Sequence, residues 1–394
     1  PDYANLPPEK EFQIAQSDWR HGFGQEYFDS SKSKSYYNGF NVDGRFKDML
    51  IAGPLPATVS ISSGQTNPSI VNADMEDITG WSVNHRSSVQ AHSGTYSWLL
   101  NPPAEQTFED YQDLSWLAAY QGKYFTFSCW IKTTSMTDGS VKIGINDGVG
   151  TTYSTVVTTV IGWTWIGVCR KLDAAATRLR LLLFSSALPV GATSTAYFDD
   201  ASLATPTAGN PKCFADYNSN LYMAEGNMLH KLNAGGTNFD WVATLPATIT
   251  DIEPFVDSYL YIGLGSTAGK YWYMNTSEVF VQSNLSDGYA QFFQTVNVTL
   301  WKAVLPREMK SATNPANGGS WSTATNVSSS DYNITQLVEE SGSIYIMKED
   351  MPYYLTSGGA VARLIPEHKA LTSTTSGKNA IAWEAKIYIP AGTQ

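Results

Sequence analysis

Charged residues are scarce in this chain, and basic residues are the scarcer kind. Only 15% of its 394 residues are charged, with 36 Asp and Glu against 25 Lys and Arg. No block of Lys or Arg occurs, so a nucleic-acid partner is not expected, because binding to phosphates depends on clustered cations. No apolar run reaches the roughly 18 residues of a membrane span, and no signal peptide is recognised, so no membrane partner is expected either.

Cysteine is nearly absent. The three cysteines, Cys129, Cys169 and Cys213, form an odd set without regular spacing. Such a set is not a disulfide framework. We expect them to be small buried hydrophobic residues, in a protein that folds in a reducing cytoplasm.

Motifs of catalysis and metal binding are also missing. None of the five histidines is spaced to share a metal ion with another, and no nucleophile elbow, phosphate loop or His-Glu-x-x-His motif occurs. The acidic pairs at 109–110, 199–200 and 339–340 are predicted at turns and strand ends, where solvated acids are common. The chain is therefore predicted not to be an enzyme and to require no cofactor, although a fold can bring distant carboxylates together.

Small polar and aromatic residues are abundant instead. Ser, Thr, Gly and Asn accompany 12 Trp and 22 Tyr. This composition is typical of all-β proteins with many turns.

The last part of the chain repeats a short strand-like run that pairs an aliphatic with an aromatic residue. The aromatic residues of the five runs lie at positions 222, 261, 301, 345 and 388, at intervals of 39, 40, 44 and 43 residues. The runs are Leu221-Tyr222-Met223, Leu260-Tyr261-Ile262, Leu300-Trp301-Lys302, Ile344-Tyr345-Ile346 and Ile387-Tyr388-Ile389. A period of about 40 residues predicts β-propeller blades over residues 206–394. The alternative is an irregular β-sandwich.

The number of repeats leaves the closure of such a propeller open. Four intervals make four blades and the start of a fifth, while propellers usually have four to eight blades. The ring is either small or completed by other residues. Within it, the stretch 314–321 has a faint likeness to the Asp-box turn of sialidase-type propellers, but it lacks the defining aspartate and is interpreted as a turn between strands.

Residues 66–205 are predicted to form a separate jelly-roll sandwich. Alternating strands are divided by Gly, Asn and Asp turns. In the stretch 124–132, Tyr124, Thr126, Ser128 and Trp130 are expected on one face and the intervening residues on the other. The segment 204–211, rich in Pro and small residues, is predicted to link this module to the propeller.

Four segments of this module resemble the carbohydrate-binding jelly rolls of the family-4/9/22 type. They are Asn72 to Glu76 leading into Gly80-Trp81, the stretch 92–97, the strand 120–132, and the closing Tyr197-Phe198-Asp199-Asp200-Ala201-Ser202-Leu203. The resemblance implies a structural calcium ion held by Glu76 and by Asp199 or Asp200, since carboxylates suit Ca²⁺. The alternative is that the two aspartates cap a strand end.

Sugar binding would need exposed aromatic rings, which stack on the apolar face of a pyranose. The candidates in this module are Trp81, Tyr111, Trp116, Trp163 and Trp165. Trp163 and Trp165 would share a face of one strand. The alternative is that these rings belong to the core or to subunit contacts.

Residues 1–65 are predicted to be an extended arm that docks on the propeller or on a neighbouring subunit. We expect a strand at 49–54 that pairs into the propeller and helps to close it. The strings at 18–25, 27–28, 42–45 and 52–54 resemble the openings of tailed-phage virion proteins that carry β-propellers.

The first hypothesis for function is therefore a structural protein of a tailed-phage virion, on the capsid surface or in the tail. It implies other virion proteins and a symmetric homo-oligomer as partners, assembly in the host cytoplasm and exposure on the particle. The first alternative is a glycan-binding adhesin that recognises cell-surface glycans. The second is a polysaccharide-degrading enzyme with an appended binding module.

Overall fold

The computed structural model describes residues 42–43, 51–52, 59–316, 319–356, 359–364, 373–383 and 386–389. The chain divides into two compact units, residues 1–59 and 60–394. In the first unit, strand β1 (Val42–Asp43) pairs antiparallel with β2 (Ile51–Ala52). The remainder of the predicted arm up to residue 58, including most of the strand expected at 49–54, lies outside the described residues.

The second unit begins with a two-sheet sandwich. Its strands are β4 (Arg86–Ser87), β5 (Ser97–Leu100), β6 (Thr107–Leu114), β7 (Tyr124–Thr137), β8 (Ser140–Asn146), β9 (Thr151–Tyr153), β10 (Thr164–Lys171), β11 (Leu179–Ser186) and β12 (Thr193–Leu203). One sheet has five strands in the order β10-β7-β12-β5-β4, and the other has four in the order β6-β11-β8-β9. A single 3₁₀ turn, Ala118–Tyr120, precedes β7. The predicted jelly-roll sandwich is confirmed.

Alternation along each strand builds the core between the two sheets. Phe125, Phe127, Cys129 and Ile131 of β7 are at most 1% exposed and pack in the sandwich core. Their neighbours in the strand point to the other side of the sheet, as the sequence predicts. Trp98 of β5 lies in the same core, and its indole N–H donates to Asp110 at 2.6 Å.

Four antiparallel meanders of four strands follow the sandwich. The first contains β13 (Pro211–Tyr217), β14 (Asn220–Glu225), β15 (Met228–Leu232) and β16 (Asn238–Thr244), and the second contains β17 (Asp251–Pro254), β18 (Tyr259–Gly263), β19 (Trp272–Asn275) and β20 (Phe280–Gln282). The third contains β21 (Phe292–Val296), β22 (Thr299–Val304), β23 (Glu308–Ala312) and β24 (Thr325–Asn326), and the fourth contains β25 (Ile334–Glu340), β26 (Ser343–Lys348), β27 (Pro352–Leu355) and β28 (Val361–Arg363). A final pair joins β29 (Ile381–Trp383) to β30 (Lys386–Tyr388).

The repeated sequence run occupies the second strand of every one of these sheets. It lies in β14, β18, β22 and β26 and overlaps β30. A four-stranded meander is the unit from which propeller blades are built. A closed ring of blades stays a prediction. The stretch 314–321 lies between β23 and β24, as expected for a turn between strands.

The segment that adds a strand to the meanders comes directly before the sandwich. Strand β3 (Ser60–Ile61) runs parallel to β16 at the edge of the first meander, with Ser60 opposite Asn238. Because a strand of two residues leaves no alternation to detect, the sequence did not predict this pairing.

The sandwich and the meanders share one hydrophobic core across their seam. Tyr124 and Cys169, from the five-stranded sheet, pack in one cluster with Trp272 and Phe280 of the second meander. The Tyr124 and Phe280 rings meet edge to face at 5.5 Å. The segment 204–211 thus joins two parts that are also in direct contact.

All three cysteines are free thiols, and two of them are buried. Burial raises the pKa of Cys169 to about 12, so its thiol stays protonated. The predicted role of Cys129 and Cys169 as small buried residues is confirmed. In the described part of the chain no helix is long and apolar enough to cross a membrane.

Candidate functional site

Two of the predicted sugar-stacking tryptophans belong to the sandwich interior. Trp81 is only 6% exposed and packs against Trp98, with ring centroids 6.5 Å apart. A ring covered in this way offers little surface to a saccharide, and sugar binding by Trp81 stays a prediction. Trp116 is half-buried against the same core and meets the Tyr120 ring edge-on at 6.0 Å.

Trp163 and Trp165 lie in different surroundings. Trp163 precedes β10 and meets the ring of His92 edge-on at 5.6 Å. His92 in turn stacks on Trp130, with centroids 4.0 Å apart. Trp165 lies within β10, and a Cβ at Gly269 of the second meander would be 3.7 Å from its ring.

Tyr111 lies on the outer side of the four-stranded sheet. In β6 the buried residues Asp110, Gln112 and Leu114 alternate with more exposed ones, and Tyr111 is among the latter. Strands β11, β8 and β9 continue the same sheet beside β6. Their outward positions add two further rings, Phe184 and Tyr153. We call Tyr111, Phe184 and Tyr153 the aromatic face.

An ion pair orders one end of the aromatic face. Arg180 of β11 donates two hydrogen bonds to Asp113 of β6, at 2.7 and 2.6 Å. Its guanidinium also lies 3.7 Å from the centroid of the Tyr111 ring. The bond to Arg180 lowers the pKa of Asp113. A bidentate pair of this kind holds both side chains in fixed positions and leaves further donors and acceptors at the surface.

The other end of the aromatic face is built around Tyr153. Its ring covers Gly144 of β8, where an added Cβ would lie 2.8 Å from a ring carbon. Lys142 places its ammonium 3.8 Å from the Tyr153 centroid and 4.3 Å from that of Phe184. Partial burial raises the pKa of the Tyr153 hydroxyl, and the neighbouring Glu109 carboxylate raises it further. Glycine at 144 therefore leaves room for the Tyr153 ring, which meets the Phe184 ring edge to face at 5.9 Å.

The sequence did not predict most residues of the aromatic face and its surroundings. Only Tyr111 was among the predicted residues, whereas Tyr153, Phe184, Arg180 and Lys142 were not. The signal available was the alternation of Arg180 and Phe184 with the buried Leu181, Leu183 and Ser185 in β11. It identifies outward positions but not which strands lie beside them.

The carboxylates predicted to bind calcium all hold one loop, residues 92–96. Glu76 accepts two backbone N–H bonds from it, at 2.7 and 2.9 Å, and Asp199 accepts two more, at 2.7 and 3.2 Å. Asp200 bonds a hydroxyl and an imidazole of the same loop, each at 2.7 Å. Burial raises the pKa of Asp199, although the N–H bonds oppose this effect.

These carboxylates, as placed, fit the loop better than a cation. N–H donors point at oxygens that a calcium ion would need, and no group of three or more His, Cys, Asp or Glu among the described residues is placed to hold a metal. We expect added Ca²⁺ to change the melting temperature of chelator-treated protein by less than about 2 °C. A rise of many degrees would instead establish the calcium ion that the resemblance implies.

A second group of carboxylates joins the second meander to the third. Asp251 and Glu253 of β17 each accept a backbone N–H from β21, both at 2.7 Å, from Phe293 and Thr295. Burial is the main reason why the pKa of Asp251 rises to about 8 and that of Glu253 to about 7. Strand β21 is the first strand of the third meander, and these two of its N–H groups bond to the carboxylates instead of to a neighbouring strand. The two carboxylates therefore have a structural role.

The raised pKa values predict a fall in stability with pH. Between about 4 and 8 the folded protein retains protons that the unfolded chain has released, so each increase in pH lowers the free energy of unfolding. We expect Asp251→Asn to flatten this slope and to raise the melting temperature at pH 8 by about 2–5 °C. Asp216→Asn, at an exposed carboxylate of β13, is the control and should leave the slope unchanged. Equal slopes for the wild type and Asp251→Asn in denaturant titrations at several pH values would contradict this assignment.

Comparison with known proteins gives no family model that matches the chain. No curated protein matches it either. Among solved structures, it is similar to the extracellular domain of a one-component system from B. thetaiotaomicron, at 13% identity over 46% of this chain and 26% of that one, with a TM-score of 0.37. This chain thus spans about a quarter of that relative.

Carbohydrate-binding modules are also among the similar structures. A family 16 module has 17% identity over 34% of this chain and 99% of its own, with a TM-score of 0.26. The C-terminal family 22 module of Clostridium thermocellum Xyn10B has 19% identity over 29% of this chain and 76% of its own, with a TM-score of 0.23. At such values the function has to be inferred from the residues of this chain itself.

Proposed function

We propose that this chain is a glycan-binding protein and that the saccharide lies on the aromatic face of the sandwich. The observation that carries the proposal is the set of three rings, Tyr111, Phe184 and Tyr153, on the outer side of one sheet. Each ring is only partly exposed, so it is held in place by its neighbours and still has surface to offer.

The chemistry of this face suits a sugar. Aromatic rings pack against the C–H faces of a pyranose, while carboxylate and cationic groups bond its hydroxyls. Glu109 supplies acceptors, and Lys142 and Arg180, whose cationic groups lie over the rings, supply donors. Because the Arg180–Asp113 pair is already ordered, little side-chain entropy would be lost on binding.

Binding without catalysis is part of this proposal. The aromatic face carries two carboxylates, Glu109 and Asp113, but Asp113 is fully engaged by Arg180. Such a face lacks the free pair of acids on which glycoside hydrolysis depends. The release of reducing ends from a bound polysaccharide would overturn this part of the proposal.

The test is a glycan array that covers plant, bacterial and animal saccharides, probed with the whole chain. We expect binding to a small set of related glycans, and we expect the same set to be lost when the aromatic face is altered. An array without a reproducible signal would reject the proposal.

The virion role stays a prediction from the sequence. The strings that carry that resemblance lie at 18–54, and of these only 42–43 and 51–52 are among the described residues. A glycan-binding chain is compatible with a particle that attaches to cells. An electron cryo-microscopy map of a virion with this chain at symmetric positions would support the role, and a free monomer in infected cells would oppose it.

A further inference from the structure

A groove of about 470 Å³ lies between the sandwich and the second meander. This volume falls within the usual range for small-molecule sites, roughly 300–1,000 Å³. Its lining is mainly hydroxyl and amide side chains from the segment 155–166 on one side and 282–289 on the other, together with the rings of Trp165 and Tyr289. The groove is distinct from the aromatic face, because none of Tyr111, Phe184 and Tyr153 lines it.

One cation enters this groove without a counter-charge. Lys270 is the only Asp, Glu, Lys, Arg or His among the described residues that line it. Its stem packs closely on Gly288, where a Cβ would lie 3.0 Å from two of its carbons. Burial lowers the pKa of Lys270, and no carboxylate among the described residues opposes that effect. A ligand that carries an anion would offset the charge of Lys270 in this groove.

Gln282 is a buried link between the two sides of the groove. It is only 5% exposed, and its Oε1 accepts the backbone N–H of Gly167 at 2.8 Å. That bond joins β20 of the second meander to β10 of the sandwich and fixes the Gln282 amide plane. The two walls of the groove are therefore held together by a direct hydrogen bond.

Trp165 supplies the stacking surface. It was predicted from the sequence as a sugar-binding residue, and it remains partly exposed where it lines the groove. A Cβ at Gly269, directly before Lys270 in the chain, would lie 3.7 Å from a carbon of its ring. Trp165 and Lys270, which belong to two different modules, thus line the same groove.

We propose that this groove binds a saccharide that carries a carboxylate, such as a uronic or sialic acid. The sugar ring stacks on Trp165, the carboxylate pairs with Lys270, and the hydroxyls meet the surrounding Ser, Thr and Asn side chains. The proposal does not depend on the aromatic face, which lies on the other sheet of the sandwich.

The test uses matched pairs of sugars that differ only in the acid group. Calorimetric titrations of the whole chain compare glucuronate with glucose and galacturonate with galactose, and add N-acetylneuraminate and, as simple anions, acetate and sulfate. We expect at least one acidic sugar to bind at least tenfold more tightly than its reference compound. The reference is the neutral counterpart for glucuronate and galacturonate, and acetate for N-acetylneuraminate. Acetate and sulfate should not compete with it at equal concentration.

Three variants separate the contributions. Lys270→Met keeps the apolar stem and should remove the preference for the acid, whereas Trp165→Ala should lower the affinity for the preferred sugar at least tenfold. Tyr153→Ala, on the aromatic face, should leave this binding unchanged, so a failure here and a failure of the proposed function can be told apart. Melting curves confirm that each variant is folded. An acid preference that survives Lys270→Met, equal competition by sulfate, or no binding of any acidic sugar would overturn the proposal.

Discussion

Tyr153→Ala is expected to weaken glycan binding by about 10- to 100-fold, which corresponds to roughly 1.4–2.7 kcal/mol. The substitution removes the ring that covers Gly144 and takes from Lys142 one of the two aromatic surfaces it contacts. Tyrosines in a binding surface commonly contribute this much, because the ring offers a large contact area at a low entropic cost. Titration of the best array ligand into wild type and variant measures the effect.

Two further variants serve as controls. Tyr153→Phe keeps the stacking surface and loses only the hydroxyl near Glu109, so its affinity should fall less than that of Tyr153→Ala. Tyr96→Ala makes the same truncation at another partly exposed tyrosine. Tyr96 also has a cation over its ring, the Arg86 guanidinium at 4.0 Å, but it adjoins the five-stranded sheet. If Tyr96→Ala weakened binding as much as Tyr153→Ala, the aromatic face would not be the site.

Trp272→Ala is expected to destabilise the second unit by about 3–5 kcal/mol. The Trp272 side chain is fully buried at the seam, in a cluster that contains residues of both the sandwich and the meanders. Because the cavity would open between the two parts, we expect both to lose stability in a single cooperative transition. Near-UV circular dichroism and the intrinsic fluorescence of the sandwich tryptophans, followed through one denaturant titration, test this.

Glycine substitutions provide a matched comparison for the seam. A Cβ at Gly167 of β10 would lie 2.8 Å from the Trp272 ring, whereas one at Gly162 would meet nothing within 4 Å. Gly167→Ala should therefore cost about 1–3 kcal/mol, and Gly162→Ala less than about 0.5 kcal/mol. Separate transitions for the sandwich and the meanders, with only one of them sensitive to Trp272→Ala, would show that the seam is not a shared core.

The sequence predicted the elements whose signal is local. The recurring aliphatic–aromatic run marks the second strand of each meander. That strand has a neighbouring strand on either side, as β18 lies between β17 and β19, and the residues of β18 are therefore largely buried. The alternation in β7 likewise identified Phe125 and Phe127 as core residues. Both signals arise within a few consecutive residues.

Features that depend on distant contacts were not predictable in this way. Trp81 and Trp165 are both tryptophans beside glycine-rich turns, yet one is in the core and the other lines a groove, and only the fold distinguishes them. The aromatic face joins β6, β11, β8 and β9, whose order in the sheet differs from their order in the chain. The contact between Tyr124 and Phe280 spans more than 150 residues, so no local pattern records it.

A crystal structure of the chain with the neutral oligosaccharide that binds best on the array tests the central claim most directly. We expect a pyranose ring stacked on Tyr153 or Tyr111, with its hydroxyls bonded to Lys142, Glu109 or Arg180. A saccharide seated only on the five-stranded sheet or on the meanders, with the aromatic face bare, would contradict the account.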